Sequence, residues 1–299
     1  MQIPCYSTNL DSRFIHIRSG HLKTDIDSEI HFIITHPKIG KPKGTVVILK
    51  SYTNSMEEYF LSINEISKRG FCTAIFDCFN KAVPQRTTVK KRRYKNFDIQ
   101  NNIKELNYFF KNIAYPICQS PYYVLSHGIG GLTALNGLSL INHKFSKMLC
   151  VSPTFAPFGN KTDSFQHKLT QFFCNTGLGF LPVIGVKKIK RKNIPLVNEE
   201  SASPYLLTSP PTSRWMASVL NAIGTAKKNI LSGQLQTPTM FVLASQNNIT
   251  NNIEIRELCQ HTRIADSITI IGADLNTIIN KEYYRKQLLA AFNAFILCE

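Results

Sequence analysis

The sequence has no apolar run of the ~18 residues that a bilayer-spanning helix needs. Its longest candidate, Leu178–Val186, is short and is interrupted by Pro182 and two glycines. A helical membrane-spanning class is therefore set aside. The first residues, MQIPCYSTNLDSRF, hold no apolar core of the kind a secretory leader carries, and no leader is expected. The eight cysteines (Cys5, Cys72, Cys78, Cys118, Cys150, Cys174, Cys259 and Cys298) include no C-x-x-C pair. Several lie in apolar runs such as Met148–Val151. They are expected to be buried, reduced thiols of a cytoplasmic protein, not a disulfide frame or a zinc site. The histidines offer no ligand cluster either. His16 and His21, like His31 and His36, are five apart, which suits neither one helical face nor one strand face. Dinucleotide and P-loop fingerprints are absent, because Gly128–Gly131 lacks both the spacing and the lysine that phosphate cradles use. No metal and no cofactor are expected.

Acidic residues are scarce. Asp and Glu total 19 against 35 Lys and Arg, a net charge of +16. This balance favours anionic partners, or else only a solvated basic surface. Hydrophobic residues make up 43% of the chain and charged residues 18%, which allows a sizeable core and argues against global disorder.

Short strand-like runs alternate with helical patterns. Strands are expected at Glu29–His36, Gly44–Lys50, Cys72–Asp77, Tyr122–Ser126, Lys147–Ser152, Thr239–Ser245 and Ser267–Gly272. Gly44–Lys50 is a short, largely apolar run, as expected of a strand buried on both faces. Helices are expected over Met56–Arg69, Asp98–Ile113, Ile129–Ile141, Ser213–Lys227, Asn252–Gln260 and Lys281–Leu297. The alternation predicts an α/β fold, a mostly parallel sheet of about eight strands with helices on both faces. The chain is read as one domain, 1–299. Residues 155–236 break the rhythm with prolines and the basic run KKIKRK. They are expected to form a cap or lid inserted after the sixth strand.

Leu125-Ser126-His127-Gly128-Ile129-Gly130-Gly131 lies between a predicted strand and a predicted helix, where a G-x-S-x-G nucleophile elbow would sit. The stretch S-H-G-I-G-G resembles, without a gap, the G-H-S-M-G-G elbow of the lysophospholipase and monoacylglycerol-lipase-like branch of the α/β hydrolases, also called serine aminopeptidase-like. KGTVVIL, M-x-x-Y-F, SKRGFCTAIFD, VSPTFAP, PTSRWMASVLNA, TPTMFVLASQNNIT and IGADLNTIINKEYYR follow in the order of that branch. The resemblance implies an α/β-hydrolase fold and a carboxylic-ester hydrolase acting on lipids.

Carried over one by one, the functional positions depart from the family. The nucleophile falls on Gly128, the acid on Asn247 in A-S-Q-N-N-I-T, and the histidine on Leu275 in G-A-D-L-N. None can serve as nucleophile, acid or base, and no histidine follows His261. The oxyanion region is altered too. The third strand ends Lys50-Ser51 instead of in a glycine-containing pair, and the residue after the nucleophile position is Ile129. The turn after the fourth strand reads Phe79-Asn80-Lys81-Ala82-Val83-Pro84. Losing the nucleophile alone costs about 10⁶ in turnover.

The first expectation is therefore a non-catalytic lysophospholipase-like protein, with a lipid or acyl-containing small molecule as partner under the cap. An active lipid esterase working through other residues is one alternative. A membrane-surface or protein-interaction module is another. For the latter, Lys90, Lys91, Arg92 and Arg93, with Lys187, Lys188, Lys190, Arg191 and Lys192, are the candidate contacts to an anionic surface. Nucleic acid is disfavoured, because the clusters are short and carry no interleaved aromatic stripe. His127 is read as a packed residue supporting the elbow, Asp274 as a solvated loop carboxylate, and Cys78 as inert.

Overall fold

The computed structural model describes residues 10–24, 29–52, 54–77, 98–141, 145–157, 165–183, 212–247 and 251–297. Strand β3 (Thr45–Leu49) shows why the sheet forms. All five of its residues are buried. Successive side chains of a strand point to opposite faces. Val47 and Leu49 accordingly pack with the core on one side, and Val46 and Ile48 with the core on the other.

Eight strands make one sheet in the order β1-β2-β4-β3-β5-β6-β7-β8. They are β1 (Ile15–Lys23), β2 (Glu29–Pro37), β3, β4 (Cys72–Asp77), β5 (Tyr122–His127), β6 (Phe145–Val151), β7 (Thr239–Ala244) and β8 (Ala265–Ile270). The pairs β1/β2 and β2/β4 are antiparallel and the remaining pairs parallel. Strand β1 was not foreseen in the sequence. Its apolar phase shifts from Ile15 and Ile17 to Leu22 across Ser19-Gly20, so no alternation marks it. Gly20 leaves room for its cross-strand partner, since a Cβ there would lie 2.9 Å from the ring of Phe32 on β2.

The helices are α1 (Phe60–Lys68), α2 (Ile99–Phe109), α3 (Tyr115–Ile117), α4 (Ile129–Ile141), α5 (Phe165–Asn175), α6 (Ser213–Leu231), α7 (Asn252–Gln260), α8 (Thr277–Asn280) and α9 (Glu282–Phe292). A π-helical turn joins α2 to α3. Ile103, Leu106 and Phe109 of α2, Leu132 and Leu135 of α4, and Met216, Leu220 and Ile223 of α6 cover one face of the sheet. Ile63 and Ile66 of α1 and Leu288, Leu289 and Phe292 of α9 cover the other. Two helical layers around a largely parallel sheet give the α/β arrangement expected from the alternation.

Within 155–236, α6 lies in the layer beside α4, where Asn136 Nδ2 donates to the Ala222 carbonyl at 3.0 Å. Helix α5 packs on α6. Both basic runs, Lys90–Arg93 and Lys187–Lys192, fall outside the described residues, as do Phe79–Pro84, Cys5, Cys78 and Cys298.

Candidate functional site

In sheets of this kind, sites form at the carboxyl ends of the parallel strands. Here β5 ends at His127, Gly128 turns the chain at φ 57°, and α4 begins at Ile129. The turn is tight enough to require glycine twice more. A Cβ on Gly130 would lie 2.2 Å from the Leu49 carbonyl oxygen, and one on Gly131 would lie 2.9 Å from Cys150 Sγ and from Pro153.

Gly128, Ser51 and Leu275 meet at this point. A Cβ on Gly128 would lie 2.6 Å from Ser51 Oγ and 3.8 Å from Leu275 Cδ1. Ser51 and Leu275 are both buried. The serine side chain thus occupies the space into which any side chain at position 128 would grow. Asn247 follows β7, half-buried. The backbone N–H of its neighbour Gln246 donates to the Ala273 carbonyl at 2.8 Å, so the loops bearing Asn247 and Leu275 abut.

His127 ties these loops together. Its Nδ1 lies 2.7 Å from Tyr59 Oη, and its Nε2 lies 2.7 Å from the Leu275 carbonyl oxygen. The Ser51 N–H donates to Tyr59 Oη at 2.9 Å. Burial holds the Tyr59 phenol well above its ordinary range, so it stays protonated and donates to Nδ1. The proton of His127 then sits on Nε2 and is donated to the Leu275 carbonyl. Burial lowers the imidazole to about 4, against the opposing pull of its hydrogen bond to Leu275 and of the Glu58 charge. The ring is neutral, and neither nitrogen has capacity left to serve as a base. The Ser51 N–H is thereby taken up by Tyr59 Oη.

Lys50 fills the end of β3 with a buried charge. Its Nζ lies 3.1 Å from Asp77 Oδ1 at the end of β4 and donates to the Asn54 carbonyl at 2.8 Å. Asn54 in turn donates to Glu58 Oε2 at 2.7 Å, and Asn280 Nδ2 reaches the same oxygen at 2.9 Å. These bonds join the loop after β3 to α8. Tyr59, Glu58, Asn54 and Asn280 were not foreseen as members of the site. Their spacing carries no motif.

Asp274, read as a solvated loop carboxylate, is exposed but engaged. Its Oδ1 accepts from the N–H groups of Asn276 at 2.9 Å and Thr277 at 2.8 Å, capping α8. Asp274→Ala is expected to lower stability by about 1 kcal/mol, as loss of such a cap does, in a thermal melt.

The histidines that sequence spacing had separated meet across strands. His16 pairs with His36, and His21 with His31, whose rings stack at 4.6 Å. Among the described residues, no three His, Cys, Asp or Glu side chains come together to hold a metal. Cys72, Cys118 and Cys150 are buried and Cys174 and Cys259 half-buried, all free. Burial pushes the Cys118 and Cys150 thiols up to about 12 and those of Cys72 and Cys259 to about 11, where the reactive thiolate is scarce.

The strand order and the strand–glycine–helix elbow define an α/β hydrolase. The chain belongs to the serine aminopeptidase S33 family, whose model matches residues 40–271. It is 22% identical, over an alignment of 289 residues covering 86% of each chain, to a probable lysophospholipase L2 of Haemophilus influenzae. Its fold is similar to that of a monoacylglycerol lipase of Paleococcus ferrophilus, with a TM-score of 0.64 and 17% identity over 89% of this chain and 97% of the other. It is also similar to a thermostable carboxyl esterase of Bacillus coagulans, with a TM-score of 0.71 and 14% identity over 94% and 97% of the two chains. Among the described residues, no helix is long and apolar enough to cross a membrane.

Proposed function

We propose that this protein is a pseudoenzyme that binds a lipid or acyl-containing small molecule without hydrolysing it. The observation that carries the reading is the contact at Gly128. The elbow has no nucleophilic side chain, and Ser51 Oγ stands where one would begin. The neutral, doubly bonded His127 and the Leu275 side chain packed beside the elbow support it. The acyl class of ligand is supported by the lipase and esterase relatives. A cap over residues 155–236 would cover that ligand, and the protein would work in the cytoplasm, with its positive charge turned to anionic membrane.

Purified protein is expected to release no p-nitrophenol from a short-chain p-nitrophenyl ester and no fatty acid from a lysophospholipid. It is expected to bind the same lysophospholipid in a calorimetric titration. Turnover that survives Ser51→Ala and Ser126→Ala would sink the pseudoenzyme reading in favour of an active esterase using other groups.

A further inference from the structure

The sheet has two edges, β1 and β8, and they are built differently. An edge strand offers unpaired backbone groups to any strand that approaches, and proteins blunt such edges with lysine, other charges, proline or a bulge. Strand β1 follows that rule, with His16, Arg18, His21 and Lys23 exposed along it. Strand β8 does not. It reads Ala-Asp-Ser-Ile-Thr-Ile, without a cation or a proline. Ile268 is 38% exposed, Ile271 just past the strand 81%, and Tyr283 at the start of α9 70%. Among the described residues, no strand pairs with the outer side of β8.

The ladder to β7 shows which groups face outward. The Thr239 N–H donates to the Ile264 carbonyl at 2.8 Å, and the Ser245 N–H to the Ile270 carbonyl at 3.1 Å. The even-numbered residues of β8 thus turn their backbone polar groups to β7, and Ala265, Ser267 and Thr269 turn theirs outward. Ala265 is buried. The Ser267 N–H is already taken, since Asp266 Oδ1 accepts it at 2.6 Å. Thr269 is left to present both an N–H and a C=O to an incoming strand.

Charge says what can pair there. Residues 251–297, which build α7, β8 and α9, hold five acidic and five basic side chains, in a chain whose net charge is +16. A second copy can bring this end of the sheet against itself without the repulsion that the net charge imposes elsewhere. A strongly acidic partner would gain nothing from so balanced a face. A strand that pairs with itself about a two-fold axis does so antiparallel, and a residue on the axis exchanges both its hydrogen bonds with its own copy. With Thr269 on the axis, Ser267 of one copy lies opposite Ile271 of the other, and Ile268 opposite Ile270. Both exposed isoleucines are then covered.

We infer that the protein forms a symmetric dimer by pairing β8 with β8 of a second copy, centred on Thr269, so that two eight-stranded sheets become one. None of these residues belongs to the elbow, and the inference does not depend on whether the protein hydrolyses its ligand or only binds it.

Sedimentation equilibrium of the full chain over a concentration series is expected to give a mass twice that of one chain. Thr269→Pro removes an outward N–H, which an edge strand tolerates. It is expected to leave the far-UV circular dichroism spectrum unchanged and to weaken dimerisation at least about tenfold. Ile268→Lys, which places on this edge the kind of cation that β1 carries, is expected to act the same way. Cross-linking reads the register. In the Thr269→Cys variant the two thiols face each other across Cα atoms about 5.5 Å apart, and mild oxidation is expected to join them. Ser267→Cys lies away from its own copy in this register and is expected not to cross-link. The wild type, whose described cysteines are buried or half-buried, gives the background. A mass of one chain at every concentration would overturn the inference. So would a Thr269→Pro variant that dimerises like the wild type, or cross-linking through Ser267→Cys in place of Thr269→Cys. A mass that climbs past two chains would mean an open, head-to-tail contact and would overturn it as well.

Discussion

Gly128→Ser is expected to destabilise the protein and to leave it without esterase activity. The backbone at 128 has φ 57°, and placing an L side chain there costs about 1–2 kcal/mol. The new Cβ would meet Ser51 Oγ at 2.6 Å, and relieving such overpacking in a buried site costs about 1–3 kcal/mol more. The loss in urea unfolding is therefore expected at about 2–5 kcal/mol. Ser51→Gly removes the obstructing hydroxyl, so the double variant should recover about 1–3 kcal/mol relative to the sum of the single changes. Strict additivity would show that Ser51 does not block the elbow. The same contact governs any attempt to install chemistry. Gly128→Ser, Asn247→Asp and Leu275→His together still leave the serine facing Ser51. Turnover of a p-nitrophenyl ester is expected only when Ser51→Gly is added as a fourth change.

The second large effect is acid sensitivity through His127. Its imidazole is held at about 4 in the folded protein against 6.5 when free. The unfolded chain therefore takes up a proton that the folded chain refuses. The resulting stability is fully present above pH 6.5 and is lost as pH falls from there toward 4. The complete loss amounts to about 3 kcal/mol, at about 1.4 kcal/mol for each pKa unit. His36, also lowered by burial and by the neighbouring His16 charge, adds to the same trend. The contribution of His127 is isolated by comparing urea midpoints of the wild type and His127→Gln at pH 7 and pH 5. The wild type should lose about 2 kcal/mol more than the variant over that interval. Should the variant not fold, Tyr59→Phe frees Nδ1 of its donor and should reduce the same pH dependence. Parallel curves for wild type and variants would mean that His127 is not held neutral.

The sheet was legible in the sequence wherever a strand is buried on both faces. Cys72–Asp77 was read to the residue, because a short, β-rich and largely apolar run is what a strand buried on both faces requires. Asn252–Gln260 was read to the residue as well, with Asn251 accepting the Glu254 N–H as its cap. Strand β1 escaped because Gly20 and a shifted apolar phase erase the alternation. Helix α5 escaped because Phe165 and Phe172 are exposed, and its inward side is only the short, mixed set Leu169, Thr170 and Phe173. Strand β8 begins at Ala265, two residues before the expected Ser267, and stops at Ile270 before the turn at Gly272.

At the site, the substitution of Lys50-Ser51 for a glycine-bearing pair was visible, but its consequence was not. That Ser51 Oγ reaches the space above Gly128 depends on how closely the end of β3 approaches the elbow, a separation of 77 positions along the chain. His127 was read as a packed support. Its two hydrogen bonds run to residues 68 and 148 positions away, beyond any local pattern.

Those long spans bear on how the chain folds. A contact that closes a large loop must overcome its closure entropy before it contributes. The bond from His127 to Leu275 and the bond from Asn280 to Glu58, 222 positions apart, need the sheet already in place. The elbow should therefore be the last part of the molecule to become rigid on refolding, and its amides the last to gain protection from hydrogen exchange. A chain released before Leu275 is made would leave the Nε2 donor of His127 buried without its acceptor, so completion of the elbow waits on synthesis of a loop that lies half a protein away.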